Sequence, residues 1–123
     1  MEPIFDRDGR TVGWFTNEVI FNLLGKYCAF ITNRAVLTFD GKYLGVLIDG
    51  FFLDKSGVAV AFIRGAKNGT VLPVKAVPPI PTLQAIPSVP LVPQLPPLPK
   101  ISSFTWSDLT WKEFLESENL TEL

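Results

Sequence analysis

A 16-residue repeat fills the chain from residue 4 to residue 65. Four glycines, each 16 residues from the next, mark the same position in each copy: Gly9, Gly25, Gly41 and Gly57. The positions four and five before each glycine, and three, five and six after it, are apolar in every copy, and the position four after it is always Gly or Ala. One further period falls on Pro73, where the pattern has ended. Four copies of one supersecondary unit are therefore predicted.

Each copy predicts a pair of short strands joined by a tight turn. The repeated glycine suits a hairpin turn because it adopts positive φ without steric cost. A second turn is predicted at Asn17-Glu18, Asn33-Arg34 and Asp49-Gly50, since Asn and Asp tolerate the left-handed region. The runs between turns are rich in Phe, Ile, Val and Leu and have the usual length of a strand. The fold class is therefore all-β, an eight-stranded antiparallel meander.

The two ends of the meander are expected to pair. An open sheet leaves two unpaired edges, which promote aggregation. Four similar hairpins can bring the first strand beside the last, so we expect a closed, shallow barrel with pseudo-four-fold symmetry. An open or sandwiched sheet is the alternative.

The second strand of each copy is apolar on both faces. In the first copy, alternation places Val12 and Trp14 on one face and Gly13 and Phe15 on the other. A half-solvated sheet would alternate apolar with polar residues, so both faces require cover. The small residues of the Gly/Ala column either allow strands to approach closely or leave a central void. The second alternative predicts an apolar channel lined by Gly13, Phe15, Ala29, Ile31, Gly45, Leu47, Ala61 and Ile63.

The region after the repeats is dominated by proline. Residues 73–99 hold ten of the eleven prolines, which excludes a helix or central strand and favours polyproline II, with three residues per turn. Aliphatic residues follow that period and form a stripe, which implies a surface to lie on. We expect docking through Val77, Ile80, Leu83, Ile86, Val89, Val92, Leu95 and Leu98, together with Trp106 and Trp111. The overlapping P-x-x-P motifs also fit a ligand of SH3-type domains.

The C-terminal segment predicts a short helix from Ser107 to about Ser117. Thr110 and Glu113 have the spacing of a capping box. The expected buried side consists of Leu109, Phe114 and Leu115. The chain therefore divides into a repeat domain (1–72), a proline-rich polyproline II segment (73–101) and a short, acidic, amphipathic C-terminal segment (102–123).

The residue types present offer little for catalysis. The chain has no His and one Cys, so the commonest general base, an internal disulfide and a Cys/His zinc site are all excluded. Cys28 occupies a repeat column that is otherwise aliphatic. A polar column just before the first turns suits hydrogen bonds to those turns or, as the alternative, a cation-binding ring: Asp6, Asn22, Thr38 and Asp54. We expect no enzyme activity, no metal and no cofactor.

Charge and hydropathy limit the partners. The net charge of −1 offers no field that favours nucleic acid. No apolar run reaches the ~20 residues of a membrane helix, so no transmembrane segment is expected. Residues 1–6 lack the features of a signal peptide, which suggests a cytoplasmic location.

The units resemble a known family. Their form, Ile-Phe-Asp-x-x-Gly-(Arg/Lys)-x-Val-Gly-Trp-Phe, is followed by an Ile/Leu-Pro run and by Ser-x-x-Trp-x-x-Leu-x-Trp-x-x-Phe. The combination is similar to the bacterial four-fold β-flower proteins. The resemblance implies a petal-like closed β-structure with an apolar central channel. The likeness in shape of that family to Tubby-like domains implies lipid-related binding by analogy of fold alone.

Two functional hypotheses follow. One is a non-catalytic binding module that holds an apolar small molecule or lipid in the central channel. The other is a structural or assembly protein whose proline-rich tail packs on its own or a neighbouring subunit, or on another protein partner. The position of the tail discriminates between them, because a tail that fills the channel leaves no room for a ligand.

Overall fold

The computed structural model of this chain describes residues 1–70, 72–73, 77–89 and 105–116. Eight strands form a closed antiparallel barrel in chain order, with the first strand paired to the last. The strands are β1 (Glu2–Phe5), β2 (Thr11–Thr16), β3 (Val19–Asn22), β4 (Tyr27–Thr32), β5 (Ala35–Thr38), β6 (Tyr43–Ile48), β7 (Phe51–Leu53) and β8 (Ala59–Phe62), followed by one short helix, α1 (Trp111–Leu115). The closed eight-stranded meander and the short C-terminal helix are confirmed.

The turns follow the predicted chemistry. The four repeated glycines have φ between 79° and 85°, a region in which a Cβ is costly. The second turns place Asn17 and Glu18 at φ 51° and 64° and Asn33 and Arg34 at 48° and 69°. Two successive positive φ values are the signature of the hairpin turns that match strand twist. Local sequence therefore sets the register of each hairpin.

Each repeat also contains a β-bulge, which corrects one sequence-based expectation. Ile4 pairs with Gly13 but Phe5 pairs with Thr11, so Val12 is an extra residue between them. The same shift occurs once in each of the other three repeats. An extra residue breaks the strict alternation of faces. Val12 therefore packs in the same cluster as Phe15, and not on the face of Trp14 as alternation predicted.

One apolar cluster, here called the inner cluster, lies inside the barrel. Its members come from all eight strands and from α1. The Phe15 and Phe52 rings meet edge to face at 6.3 Å, although two strands lie between β2 and β7 in the closed order. At ~4.8 Å per strand the path along the sheet is roughly 14 Å. The two rings therefore meet across the interior.

The opposite face of the strands carries two further clusters. The first outer cluster draws on β2–β5 and includes Trp14 and Phe30, with Leu83 packed against it. The second outer cluster draws on β1 and β6–β8 and includes Phe62, with Trp106 packed against it. Both faces of the sheet are thus apolar, and chain beyond the repeats covers part of the outer one.

Helix α1 is shorter than predicted. It begins at Trp111, with Thr110 as its N-cap, rather than at Ser107. Its buried residues are Trp111 and Phe114, while Leu109 and Leu115 are only half-buried. The burial of Phe114 was therefore predicted correctly, whereas Trp111 was not among the residues expected on the buried side of this helix. In the proline-rich part, residues 77–89 contain neither helix nor strand, and polyproline II stays a prediction.

Candidate functional site

Residues 105–116, here called the docked segment, attach to the barrel beside β8. Trp106 forms a parallel bridge with Ala59, and the Ser107 backbone N–H donates to the Ala59 carbonyl at 2.7 Å. The indole of Trp106 packs on Phe51 and Phe62, with ring centroids 6.2 and 5.9 Å apart. Backbone pairing and aromatic packing therefore fix the start of the segment.

A buried polar contact holds the next residue. The Ser107 hydroxyl donates to Asp54 Oδ2 at 2.6 Å, and both residues are buried. Asp54 Oδ1 accepts the backbone N–H groups of Ser56 and Val58 at 2.9 and 3.1 Å. One carboxylate thus holds its own turn with one oxygen and the docked segment with the other. A hydrogen bond to a charged acceptor is stronger than one between neutral groups.

The rest of the polar column serves its own turns. Asp6 Oδ1 accepts the backbone N–H groups of Asp8 and Arg10, and Asn22 Oδ1 does the same in the second repeat. Thr38 Oγ1 accepts the Lys42 backbone N–H. Across the residues placed by the structure, no three His, Cys, Asp or Glu side chains group as metal ligands do. The geometry follows the turn interpretation of this column.

A capping box begins α1. Thr110 Oγ1 accepts the Glu113 backbone N–H at 3.1 Å, and Glu113 Oε1 accepts the Thr110 backbone N–H at 2.9 Å. These reciprocal bonds satisfy donors that a helix start leaves free. The hydrogen bond from the Thr110 backbone lowers the pKa of Glu113, because it favours the charged carboxylate.

The aromatic side chains of α1 enter the barrel interior. Trp111 and Phe114 stack with ring centroids 5.4 Å apart, and Phe114 is fully buried. Trp111 also meets Phe52 at 5.2 Å, in an edge-to-face contact. A Cβ added at Gly13 would lie 3.7 Å from the Trp111 indole nitrogen, and one at Gly45 would lie 2.9 Å from the Phe114 ring. Since Gly13 and Gly45 lie on β2 and β6, on opposite sides of the closed order, the stacked pair spans the interior.

The residues predicted to line a channel lie together on this inner face. Ala29, Ile31 and Ala61 are buried members of the inner cluster. Phe15, Leu47 and Ile63 are half-buried and pack against it. Their shared face is the one that α1 covers, and the channel role itself stays a prediction.

The two glycines of the small-residue column mark close approaches of the backbone. A Cβ at Gly13 would lie 2.5 Å from the Phe21 carbonyl oxygen, and one at Gly45 would lie 2.0 Å from the Leu53 carbonyl oxygen. Real Cβ atoms do not approach that closely. Of the two alternatives for this column, the geometry at these glycines favours crowding of strands.

The proline-rich stripe touches the barrel at one described point. The Gln84 backbone N–H donates to the Gly25 carbonyl at 2.7 Å, Gln84 Oε1 accepts the Tyr27 N–H at 3.2 Å, and Leu83 packs on the first outer cluster. Four other stripe residues are exposed, at 40% to 59%: Val77, Ile80, Ile86 and Val89. Val92, Leu95 and Leu98 lie outside the described residues.

Sequence reasoning missed the polar anchors of the tail. Ser107 was singled out only as the start of the predicted helix, and Gln84 was not singled out at all. Asp54 was assigned only to its turn or to a cation ring. No pattern in one sequence reports that the second oxygen of Asp54 faces a residue 53 positions away.

A cavity of about 400 Å³ lies between the first hairpin turn and the start of α1. Its polar wall includes Asp6, Asp8, Arg7, Arg10 and Lys112. Its apolar wall is formed by Val12, Leu23, Val60, Leu109 and Trp111. The mixture of both charge signs favours no particular ion.

The single thiol is not arranged as a nucleophile. Cys28 is half-buried and its Sγ donates to the Lys26 carbonyl at 3.5 Å. Burial raises the pKa of this thiol, against a smaller lowering by a backbone hydrogen bond at Asn22. A raised pKa reduces the thiolate fraction, which is the reactive form.

These features define a class: an all-β repeat domain, closed as a barrel, whose interior receives the aromatic side chains of its own C-terminal helix. The sequence model of the family described as 4-fold beta flower protein matches residues 2–115. The chain therefore belongs to the 4-fold beta flower family, as the repeat and tail together indicated. That family is not a known enzyme family. Comparison with curated proteins and with solved structures gives no match.

Within the part of the chain that the structure describes, no helix has the length and apolar character needed to cross a bilayer.

Proposed function

We propose that the protein is a non-catalytic assembly module, in which the proline-rich segment of one copy packs on the barrel of another. The proposal joins two properties of the chain. A stripe of aliphatic side chains is presented on a restricted backbone, and a repeated barrel offers similar turns on which such a segment docks.

The observation that carries the proposal is the exposure of the stripe on both sides of a fixed point. Leu83 and Gln84 are tied to the second repeat. Ile80 and Ile86, three residues to either side, are exposed at 59% and 40%. Proline restricts the unfolded chain, so ordering such a segment on a partner has a lower entropy cost. Exposed apolar side chains in a row are typical of an interaction surface.

The repeat supplies further docking turns of the same kind. The Gly25 carbonyl accepts the Gln84 backbone N–H. A Cβ added at Gly25 would lie 2.2 Å from the Thr82 carbonyl oxygen. Gly41 occupies the same position in the third repeat with nearly the same φ, 85° against 84°. Apart from Gly41 and its two neighbours in the chain, no described residue has a heavy atom within 4 Å of a Cβ built on Gly41. The contact that Gly25 makes with the proline-rich segment of its own chain could therefore form in the same way at the Gly41 turn of a second copy.

The alternative, an apolar ligand in the barrel interior, is supported by one observation. The cavity of about 400 Å³ has an apolar wall that reaches Val12, Val60 and Trp111. In the described structure, however, Trp111 and Phe114 occupy the inner face itself. A ligand would have to fit beside them or displace α1.

The experiment measures the mass of the full-length protein over a concentration series by light scattering after size exclusion. We expect reversible association in the wild type and its loss in the double variant Ile80→Ser/Ile86→Ser. The matched control is Ile80→Leu/Ile86→Leu, which changes the same two exposed side chains but keeps the stripe aliphatic. The control should associate like the wild type.

A monomer at every concentration would overturn the assembly proposal, and so would equal association of wild type and double variant. Native mass spectrometry of the same samples tests the alternative. A stoichiometric extra mass that organic solvent releases would support the ligand hypothesis, and a clean polypeptide mass would argue against a retained ligand.

A further inference from the structure

The site that receives the docked segment is built from groups far away in sequence. The acceptor side consists of Asp54, the Ala59 carbonyl and the strand residues of the inner cluster. The donor side consists of Ser107, Trp111 and Phe114. None of these contacts depends on the two sides belonging to the same copy, so the connecting chain determines which copy supplies the segment.

The connection is long compared with the barrel. After Gln84, which is tied to Gly25, twenty residues (85–104) precede the docked segment, and six of them are prolines. At ~3.1 Å per residue in an extended proline-rich chain, they can reach roughly 60 Å. A domain of about 70 residues is only roughly 25–30 Å across. Proline-rich chains also behave as semi-rigid spacers, and a reach of this length is enough for the docked segment to meet a neighbouring barrel.

Helix α1 depends on its docking site for stability. It has five residues, far fewer than the ~12–15 at which isolated helices become even marginal. Its order is therefore coupled to insertion of Trp111 and Phe114 into the barrel. Release of the segment would expose these two rings and the inner face at once. Such complementary surfaces rejoin within one copy or between copies according to their effective concentrations.

We propose that two copies of this chain exchange their docked segments, so that Ser107, Trp111 and Phe114 of each copy complete the interior of the other. The inference rests on the self-association proposed above, but it places a contact at the barrel interior as well as at the stripe. The exchange is reciprocal, so it closes as a two-fold dimer and leaves no free inner face.

The test uses the wild-type chain in two isotopic forms. Equal amounts of ¹⁵N-labelled and unlabelled protein are unfolded together in denaturant, refolded at high concentration and treated with a zero-length carbodiimide cross-linker. The reporter is an amide between Lys112 and Asp6 or Asp8, which line one cavity. Mass spectrometry then separates peptides joined within one isotope from mixed pairs.

Exchange predicts mixed pairs at about half of all such cross-links, the fraction for random pairing of equal populations in a closed dimer. The matched control combines the two forms only after cross-linking and should give none. Mixed pairs at the level of that control would overturn the exchange. The same analysis of Ile80→Ser/Ile86→Ser separates the proposals. Mixed pairs that persist in this variant support exchange without the stripe contact, whereas association that requires the stripe and gives no mixed pairs supports assembly without exchange.

A second measurement uses single cysteines in a Cys28→Ser background. Chains with Asp54→Cys and chains with Ser107→Cys are mixed and oxidised, so a disulfide at this contact can join only two different chains. The control pairs Asp54→Cys with Ser88→Cys, an exposed position outside the contact. We expect a covalent heterodimer with Ser107→Cys in clear excess over the control, and equal yields of the two pairs would count against the exchange.

Discussion

The Ser107 hydroxyl donates a buried hydrogen bond of 2.6 Å to Asp54, a residue 53 positions away in the sequence. The same carboxylate holds the turn between β7 and β8 through two backbone N–H groups. The turn that shapes the fourth repeat is therefore also the anchor of the docked segment. This coupling makes the anchor testable by removal of one oxygen atom.

Replacement of Ser107 by Ala should loosen the docked segment while leaving the barrel intact. A hydrogen bond to a charged group contributes about 1.5–3 kcal/mol, and here one oxygen of Asp54 would be left without this donor. Hydrogen exchange of the Phe114 amide, which donates to Thr110 within the helix, should accelerate correspondingly. Ser88→Ala at an exposed position is the control. Unchanged exchange at Phe114 in the Ser107 variant would show that the anchor is dispensable.

The hairpins were predictable because their determinants are local. A glycine or a pair of residues at positive φ fixes each turn, and the turn fixes the register of the strands beside it. The closed order followed from the need to pair the two sheet edges. The bulge at Val12 could not be predicted from the alternation of faces. Val12 is apolar like its neighbours, so the apolar run in β2 looks the same whether or not one of its residues is extra.

The position of the tail could not be predicted, for a different reason. An aliphatic stripe with a period of three indicates that the segment packs on some surface, but it does not identify that surface. The contact of Leu83 with the first outer cluster depends on tertiary geometry. Likewise, Trp111 and Phe114 could pack on either face of a sheet that is apolar on both. Only Gly13 and Gly45, the glycines opposite these two rings, distinguish the inner face from the outer face. Their role can be recognised only when the closed barrel is known.

Truncation of Phe114 should be the most damaging change in α1. Its side chain is fully buried in the inner cluster, and Phe→Ala in a core costs about 3–5 kcal/mol. We expect a lower urea midpoint and loss of the near-ultraviolet dichroism of the stacked Trp111. Leu115→Ala, at a half-buried position of the same helix, should have a smaller effect. Equal effects at the two positions would contradict insertion of Phe114 into the interior.

A methyl group at Gly45 should destabilise the barrel. The added Cβ would lie 2.0 Å from the Leu53 carbonyl oxygen and 2.9 Å from the Phe114 ring, so backbone on one side and a packed ring on the other must shift. Overpacking of this kind costs about 1–3 kcal/mol. The reverse change in the equivalent column, Ala29→Gly, should cost only about 0.5–1 kcal/mol. Thermal unfolding of both variants checks that the methyl group at Gly45 lowers the stability more than Ala29→Gly does. The opposite result would show that the strands are free to separate at Gly45.

Cys28 should react slowly with a disulfide reagent in the folded protein. Burial raises the pKa of its thiol, so the thiolate fraction at neutral pH is smaller than that of a free cysteine. The pH at which the reaction rate reaches half its maximum should therefore be higher in the folded protein than in denaturant, where the same thiol is exposed. The denatured chain is its own control. Coincident pH profiles would show that the packing around Cys28 opens faster than the reagent reacts.

The docking of α1 should weaken in acid through Glu113. The hydrogen bond from the Thr110 backbone lowers the pKa of Glu113 from its ordinary value of 4.5, so the folded chain favours the carboxylate more than the unfolded chain does. The stabilisation is therefore present above pH 4.5 and is lost as the pH falls through the lowered value in the folded state. The protection factor of the helical Phe114 amide, which compares its exchange rate with the intrinsic rate at the same pH, should fall through that range in the wild type. Glu113→Gln keeps an oxygen that accepts the Thr110 N–H and removes the titration, so this contribution should be flat with pH. An identical acid response in both proteins would show that Glu113 is not the group responsible.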